Sequence, residues 1–518
     1  MALYEVYVLL DSSPPALPND FQSVHDLLDY AALRWPSARA LRDTGGAWTY
    51  TDLARSSRGA ARALSARGVR HGDRVAVPAL PLRQTVALLY GCSRVGAVFL
   101  PVAPDASGHQ RAAILQDAEP TVVVADAEEL SALCAATPDA PDAPDTEEPT
   151  DPAGGEDGPA AADGDRPAAG DDPALFIYTS GSTARPKAVI CPHRQIVFAV
   201  RAIAERLDQR PGDVVYCRLP LSFDYGLYQV FLSALTGSEL VLADPTLRVT
   251  LLADLHASGA TVMPLVPSLA TMLVQLAART DRPPAVRTFT NTGEHLPASL
   301  AARLRAAFPG SGVHLMFGIT ECKRVSVLER DGDLVRPGSV GRPLTGTTVW
   351  IAGPDGRPEP PGETGEIVVV GPHVMAGYWR SPEQQAQRFR TDPRTGERQL
   401  WTGDFGSLDA DGYLYFHGRR DQIFKLRDTR TSAQEIEAAA LLVEGVTAAA
   451  VLPPAQGRGA VLCLVTSRRP EEVTGELVAL IGPTKVPAVS RVLPELPLTG
   501  NGKTDRARLA QQLAETTR

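Results

Sequence analysis

The sequence predicts an α/β fold: a large N-terminal part of doubly wound sheets, a small β-rich subdomain within it, and a small α+β C-terminal part. Three observations carry this. Along the first third, helical and strand patterns alternate, and strands separated by helices build parallel sheets. From about Val325 to Tyr415 the texture changes to short strands (VSVLE, TVWIA, EIVVVG, YLYFHG) between Gly/Pro turns. After Gly418 about a hundred residues remain, a usual domain size. The 518 residues also exceed the roughly 250–300 at which a single core stops growing. The expected division is 1–417 and 418–518, with the β-rich subdomain at about 325–417.

Taken in order, VHDLLDYAALRW (Val24 to Trp35) has apolar residues at helical spacing, and an alanine-rich helix covers Asp52 to Arg67, ending near Gly68. Arg74 to Val77 reads as a strand, Gln84 to Val95 as a helix, and AVFLPV (Ala97 to Val102) and TVVVA (Thr121 to Ala125) as buried strands. Later, Thr261 to Met263 and Arg287 to Thr290 read as strands around a helix at Ser268 to Arg279. Between them, 137–173 contains no aromatic or branched aliphatic residue and is predicted to be a disordered acidic insertion, since it has nothing to bury.

The net charge of −9 is misleading as a guide to partners. Twelve acidic residues and one arginine, Arg166, lie between Ala136 and Asp172, so this segment carries −11 and the rest +2. A nearly neutral body gives no reason to expect nucleic-acid binding. The six cysteines are scattered, with no CxxC pair, which argues against zinc and disulfide frameworks. MALYEVYVLLDSSP lacks a basic n-region and contains Glu5, so it does not read as a secretion signal. No apolar run approaches the ~20 residues of a membrane span. The expectation is a cytoplasmic protein with no membrane partner.

The chemistry is concentrated in YTSGSTARPKAV (Tyr178 to Val189). A buried strand, Leu175 to Tyr178, runs into Thr179-Ser180-Gly181-Ser182-Thr183, a loop of hydroxyl and N–H donors suited to phosphate oxygens. Pro186 stiffens the exit and Lys187 adds charge. No Gly-Lys-Ser/Thr triplet closes the loop, so it is not a P-loop. Downstream, in order, come MFGITE (Met316 to Glu321), WTGD (Trp401 to Asp404), GRRDQIFKLRDTR (Gly418 to Arg430) and PLTGNGKTDR (Pro497 to Arg506).

With these motifs in this order, the chain resembles a stand-alone member of the adenylate-forming superfamily of acyl-CoA synthetases, carrier-protein-loading adenylation domains and luciferases. The likeness runs from WTYTDL (Trp48 to Leu53) to Arg506. It implies ATP and Mg²⁺ as cofactors and a mobile C-terminal lid hinged near Asp421. It further implies that Thr179, Ser180, Gly181, Ser182, Thr183 and Lys187 grip the outer phosphates. Thr320 would touch the α-phosphate and Glu321 would ligate Mg²⁺. Gly293 and Glu294 would pass along the adenine, Asp404 and Arg419 would hold the ribose, and Arg430 would meet phosphate or steady the hinge. Lys503 would bridge the attacking carboxylate and the α-phosphate.

This chain departs from the family pattern at Ala184 and Ala188, where glycines are common, and at Asp428, which replaces a glycine on the path of a pantetheine arm. For the substrate, Asp224 in LPLSFDYGLYQ matches the aspartate that meets an amino-acid ammonium, with Tyr225, Tyr228, Thr292 and Phe317 as candidate walls. The implied activity is adenylation of an amino or aryl acid with pyrophosphate release. A carrier-protein thiol would be the acceptor, with CoA or an amine (nitrite-activating relatives included) as alternatives. From another class, an inactive nucleotide-binding scaffold stays open, opposed by the intact Glu321, Asp404 and Lys503.

Overall fold

The computed structural model describes residues 21–135, 170–179, 187–244, 250–455 and 458–516. Two sheets dominate the body. The nine-stranded sheet has the central parallel strands Val214–Cys217, Val262–Leu265, Thr288–Asn291 and Gly312–Phe317. The six-stranded sheet has Arg74–Pro78 and Val98–Val102 side by side, next to Pro173–Thr179. Helices predicted from apolar periodicity lie close to where expected, at Val24–Arg34, Tyr50–Ala66, Arg83–Arg94 and Pro267–Ala277. The second starts early because Thr49 accepts the Asp52 N–H while Asp52 accepts the Thr49 N–H, a reciprocal cap.

The strand Pro173–Thr179 turns back antiparallel onto Lys187–Pro192, with Thr179 opposite Lys187. The two ends of the phosphate-loop candidate are therefore cross-strand partners. Ser180, Gly181, Ser182 and Thr183 lie outside the described residues, as does 137–169 of the predicted acidic insertion. The last part of that segment packs on the body: Asp172 meets His71 Nε2 at 2.9 Å, and Pro173 opens the strand.

The β-rich region needs a correction. VSVLE contributes only Ser326–Val327, which pairs with Gly312–Phe317 at one end of the nine-stranded sheet. Val325 and Val327 are buried in the main core, and that burial draws the segment there. Gly377–Tyr378 joins the six-stranded sheet instead. A separate five-stranded sheet starts at Thr348–Ala352 and includes Gly365–Val370, Arg398–Leu408 and Leu414–Arg419.

The main core runs from Val24 to Leu414, whereas residues between Ala433 and Val486 form a cluster of their own. That second cluster lies under the three-stranded sheet Val446–Leu452, Val461–Thr466 and Val489–Val492. The hairpin Ile423–Leu426 with Thr429–Ser432 joins the two parts. Its turn residues, Arg427 and Asp428, have φ of 45° and 65°. Two successive left-handed residues make a tight hairpin turn that normally favours Asn-Gly. Among the described residues, no helix is long and apolar enough to cross a membrane.

Candidate active site

A cavity of about 390 Å³ opens where the carboxyl ends of Thr288–Asn291 and Gly312–Phe317 meet the five-stranded sheet and the C-terminal part. This is the usual ligand crevice of a parallel sheet. Thr179, Lys187, Asp224, Thr292, Gly293, Glu294, Phe317, Thr320, Glu321, Asp404, Arg419 and Lys503 all line it. Residues spread over more than three hundred positions of sequence thus face one space.

Asp404 and Arg419 are cross-strand partners in the five-stranded sheet, with Nε 3.7 Å from Oδ1. Burial pushes the Asp404 carboxyl up to about 7, while Arg419 and then Arg388 pull it back. Arg388, absent from the sequence reading, donates to the carbonyls of Trp401 and Thr402 and so braces the WTGD stretch of the strand Arg398–Leu408. Arg419 also lies 3.7 Å from the exposed Asp421 in the short helix Arg420–Gln422.

Glu321 accepts a 2.5 Å hydrogen bond from the Tyr378 hydroxyl. Lys187 Nζ stands 5.8 Å from the centre of that tyrosine ring. Burial lowers the Lys187 pKa, and nearby Arg388 adds to the effect, with Glu321 opposing. Among the described residues no group of three or more His, Cys, Asp or Glu could hold a metal by protein alone. The Glu321 carboxylate, facing a space also lined by Lys187 and Arg419, fits Mg²⁺, which keeps several waters and takes phosphate oxygens as ligands.

Gly293 has φ of 87°, and a Cβ there would stand 3.2 Å from Phe223 and 3.3 Å from Lys503 Cε. Only glycine lets the backbone pass so close. Lys503 sits in a tight turn closed by Thr499 N–H to Lys503 O at 2.8 Å, its Nζ 5.0 Å from the centre of the Phe223 ring. Glu294 lines the cavity, but its Oε1 accepts the Thr504 N–H at 3.3 Å. The Arg430 backbone pairs with Lys425; its side chain lies outside the described residues.

The proposed substrate walls divide. Thr292 and Phe317 line the cavity, whereas Tyr225 and Tyr228 do not. Both tyrosines are 1% exposed and sit behind the wall, on a helix (Asp224–Thr236) whose every residue is buried. The Tyr225 hydroxyl is tied to Thr290 Oγ1 at 2.6 Å. In front of it lies Arg324, 4% exposed, its guanidinium 5.1 Å from the ring centre. Arg324 Nη1 donates to Thr292 Oγ1 at 3.2 Å and to Lys323 O at 2.9 Å. Its Nε finds no partner among the described residues.

Burial lowers the Arg324 pKa, with Asp224 the largest opposing charge. Asp224 and Arg324 both line the cavity, and Lys323 backs it, 1% exposed, with Nζ 5.7 Å from the centre of the Tyr228 ring. Sequence reasoning missed both cations. The available signal was two consecutive positive charges embedded in the apolar GITECKRVSVL.

The chain matches the family described as AMP-binding enzyme over residues 28–379. It spans between 20% and 42% of the length of the first three curated relatives it matches. It is 29% identical to the L-proline--[L-prolyl-carrier protein] ligase of Pseudomonas fluorescens, covering 95% of this chain and 99% of that one. The solved structure of VinN in complex with L-aspartate is 39% identical, with a TM-score of 0.65 over 77% of this chain and 100% of that chain; its complex with 3-methylaspartate is 37% identical, with a TM-score of 0.60 and the same coverage. O-succinylbenzoate coenzyme A synthetase (MenE) from Bacillus subtilis, solved with ATP and magnesium ion, is 25% identical, with a TM-score of 0.76 over 93% of this chain and 99% of that chain. With one cavity lined by the described motif residues and a family match over most of its length, the chain belongs to the AMP-binding enzymes, the adenylate-forming ligases.

Proposed function

We propose that this protein uses ATP and Mg²⁺ to adenylate an amino acid bearing a second carboxylate, an aspartate-like dicarboxylic acid, and passes the acyl group to a carrier-protein thiol. The observation that carries the substrate is the pair Asp224 and Arg324, opposite charges on one cavity wall. A buried guanidinium with an unpartnered Nε is costly unless an anion meets it, and a buried carboxylate likewise calls for a cation. A substrate carrying an ammonium and a spare carboxylate satisfies both. VinN, solved with L-aspartate and 3-methylaspartate, supports the same class.

ATP supplies the adenylyl group, and Mg²⁺ offsets the charge of its phosphates. The protein's share is positioning and electrostatics. Asp404 and Arg419 clasp the ribose, Lys187 faces the outer phosphates, and Glu321 offers the metal an anionic oxygen. Lys503 places its ammonium beside the carboxylate oxygen that bonds to the α-phosphorus as pyrophosphate leaves.

A pyrophosphate-release panel tests the substrate. L-Aspartate and 3-methylaspartate are expected to give release at least tenfold above alanine, anthranilate and nitrite. Equal release with alanine overturns the dicarboxylic reading.

The acceptor rests on Asp428, which is exposed at the hairpin turn. If lid rotation brings this turn to the acceptor channel, its charge repels the phosphates of CoA by about 1–2 kcal/mol, or about tenfold. A carrier-protein arm has one phosphate, held further out. Asp428→Gly is expected to raise CoA-thioester formation about tenfold and to leave pyrophosphate release unchanged. Rapid thioester formation with free CoA by the native protein, no faster in Asp428→Gly, would favour a CoA ligase.

A further inference from the structure

The turn that carries Lys503 is seated on the body by two polar contacts. Ser268 Oγ, in the first turn of Pro267–Ala277, donates to the Gly502 carbonyl at 2.7 Å. Glu294 Oε1, in the loop after Thr288–Asn291, accepts the Thr504 N–H at 3.3 Å. One contact lies on each side of Lys503, so together they set both the height and the twist of the turn. Lys503 and Arg506 are the cations that act on Glu294. Arg506 also donates from Nη2 to Glu437 Oε1 at 2.6 Å. Glu437 belongs to the C-terminal part, on the helix Ala433–Ala440. Glu294 is thus the body's carboxylate in a chain of alternating charge that crosses the junction: Glu294, Arg506, Glu437.

We infer that Glu294 is a positioning residue, a latch on the body that seats the Lys503 turn during adenylation and must let go before the lid rotates toward the acceptor. Its backbone lies along the cavity, but its carboxylate is spent on the lid. The contact with Thr504 uses an oxygen as acceptor and needs no net charge. Burial raises the Glu294 pKa, and the nearby Lys503 and Arg506 counter this. The inference rests on the adenylation reading, though not on which acid is activated.

The test uses the full chain and the acid that gives the native protein its fastest pyrophosphate release, so failure of the substrate reading does not affect it. Glu294→Ala is expected to lower kcat at least tenfold while KM for the acid shifts less than about threefold, because the loss is in placing Lys503 and not in holding the acid. Glu294→Gln, whose amide oxygen still accepts the Thr504 N–H, is expected to recover kcat to within about threefold of native. Ser268→Ala removes the other contact and is expected to lower kcat severalfold; it decides the matter if Glu294→Ala does not fold. Native kcat in Glu294→Ala overturns the latch. So does a Glu294→Gln variant as slow as the alanine one, or, where the alanine variant is unfolded, a Ser268→Ala variant with native kcat.

Discussion

Replacing Lys503 with alanine is expected to slow pyrophosphate release roughly 10²–10³-fold while ATP affinity changes little, the cost of removing one preorganised group aimed at charge that develops only during reaction. The geometry supports this split. Lys503 arrives on a turn held by Ser268 and Glu294, and its Nζ stops 5.0 Å from the centre of the Phe223 ring at the edge of the cavity. On the proposed roles, ATP binding draws instead on Lys187 at the phosphates and on Asp404 and Arg419 at the ribose, all on the body side and untouched by the change. Pyrophosphate release gives kcat, and equilibrium binding of ATP gives the affinity. Native turnover in the variant would remove Lys503 from the reaction.

Arg324→Met is expected to lower kcat/KM for the dicarboxylic substrate by roughly 30-fold to a few thousandfold, the 2–5 kcal/mol cost of leaving one charge of a buried pair alone. Methionine keeps much of the volume above Tyr225, so the loss is electrostatic and not a cavity effect. The same change should narrow the gap between aspartate and alanine, since alanine has no second carboxylate to strand. Steady-state kinetics with both acids, alongside a melting curve, make the comparison. An unchanged aspartate kcat/KM would mean that Arg324 serves only the core, bracing Thr292 and the Lys323 carbonyl.

Residues whose local pattern matches their role were legible in the sequence. Apolar periodicity located the helices at Val24–Arg34 and Tyr50–Ala66, and runs of branched residues located Arg74–Pro78 and Val98–Val102. Of the described motif residues, Thr179, Lys187 and Arg419 sit at strand ends and Gly293 and Lys503 in tight turns, positions that sequence marks well. The helix Asp224–Thr236 escaped because it is buried all round, which erases the amphipathic signal. Tyr225 and Tyr228 were then placed in the wrong wall, since without the helix nothing tells which side chains point outward. Lys323 and Arg324 were not singled out, and only their burial against Tyr228 and Tyr225 shows what they are. The contact of Glu294 with Thr504 spans 210 residues and has no local trace at all.

One antiparallel ribbon, Arg398–Leu408 with Leu414–Arg419, has a consequence for the order of events. Its final rung is Asp404 with Arg419, the pair proposed to hold the ribose, and the chain leaves that rung directly into Arg420–Gln422, the place of the proposed hinge. Grip and pivot are thus consecutive links of the same chain, with no intervening element to absorb slack. With these roles, a nucleotide held at the rung would stiffen the axle on which the lid turns, and its departure would loosen that axle. On the proposed roles, spent AMP would be felt at the hinge by direct mechanical continuity, and resetting of the lid would be tied to emptying of the sugar site.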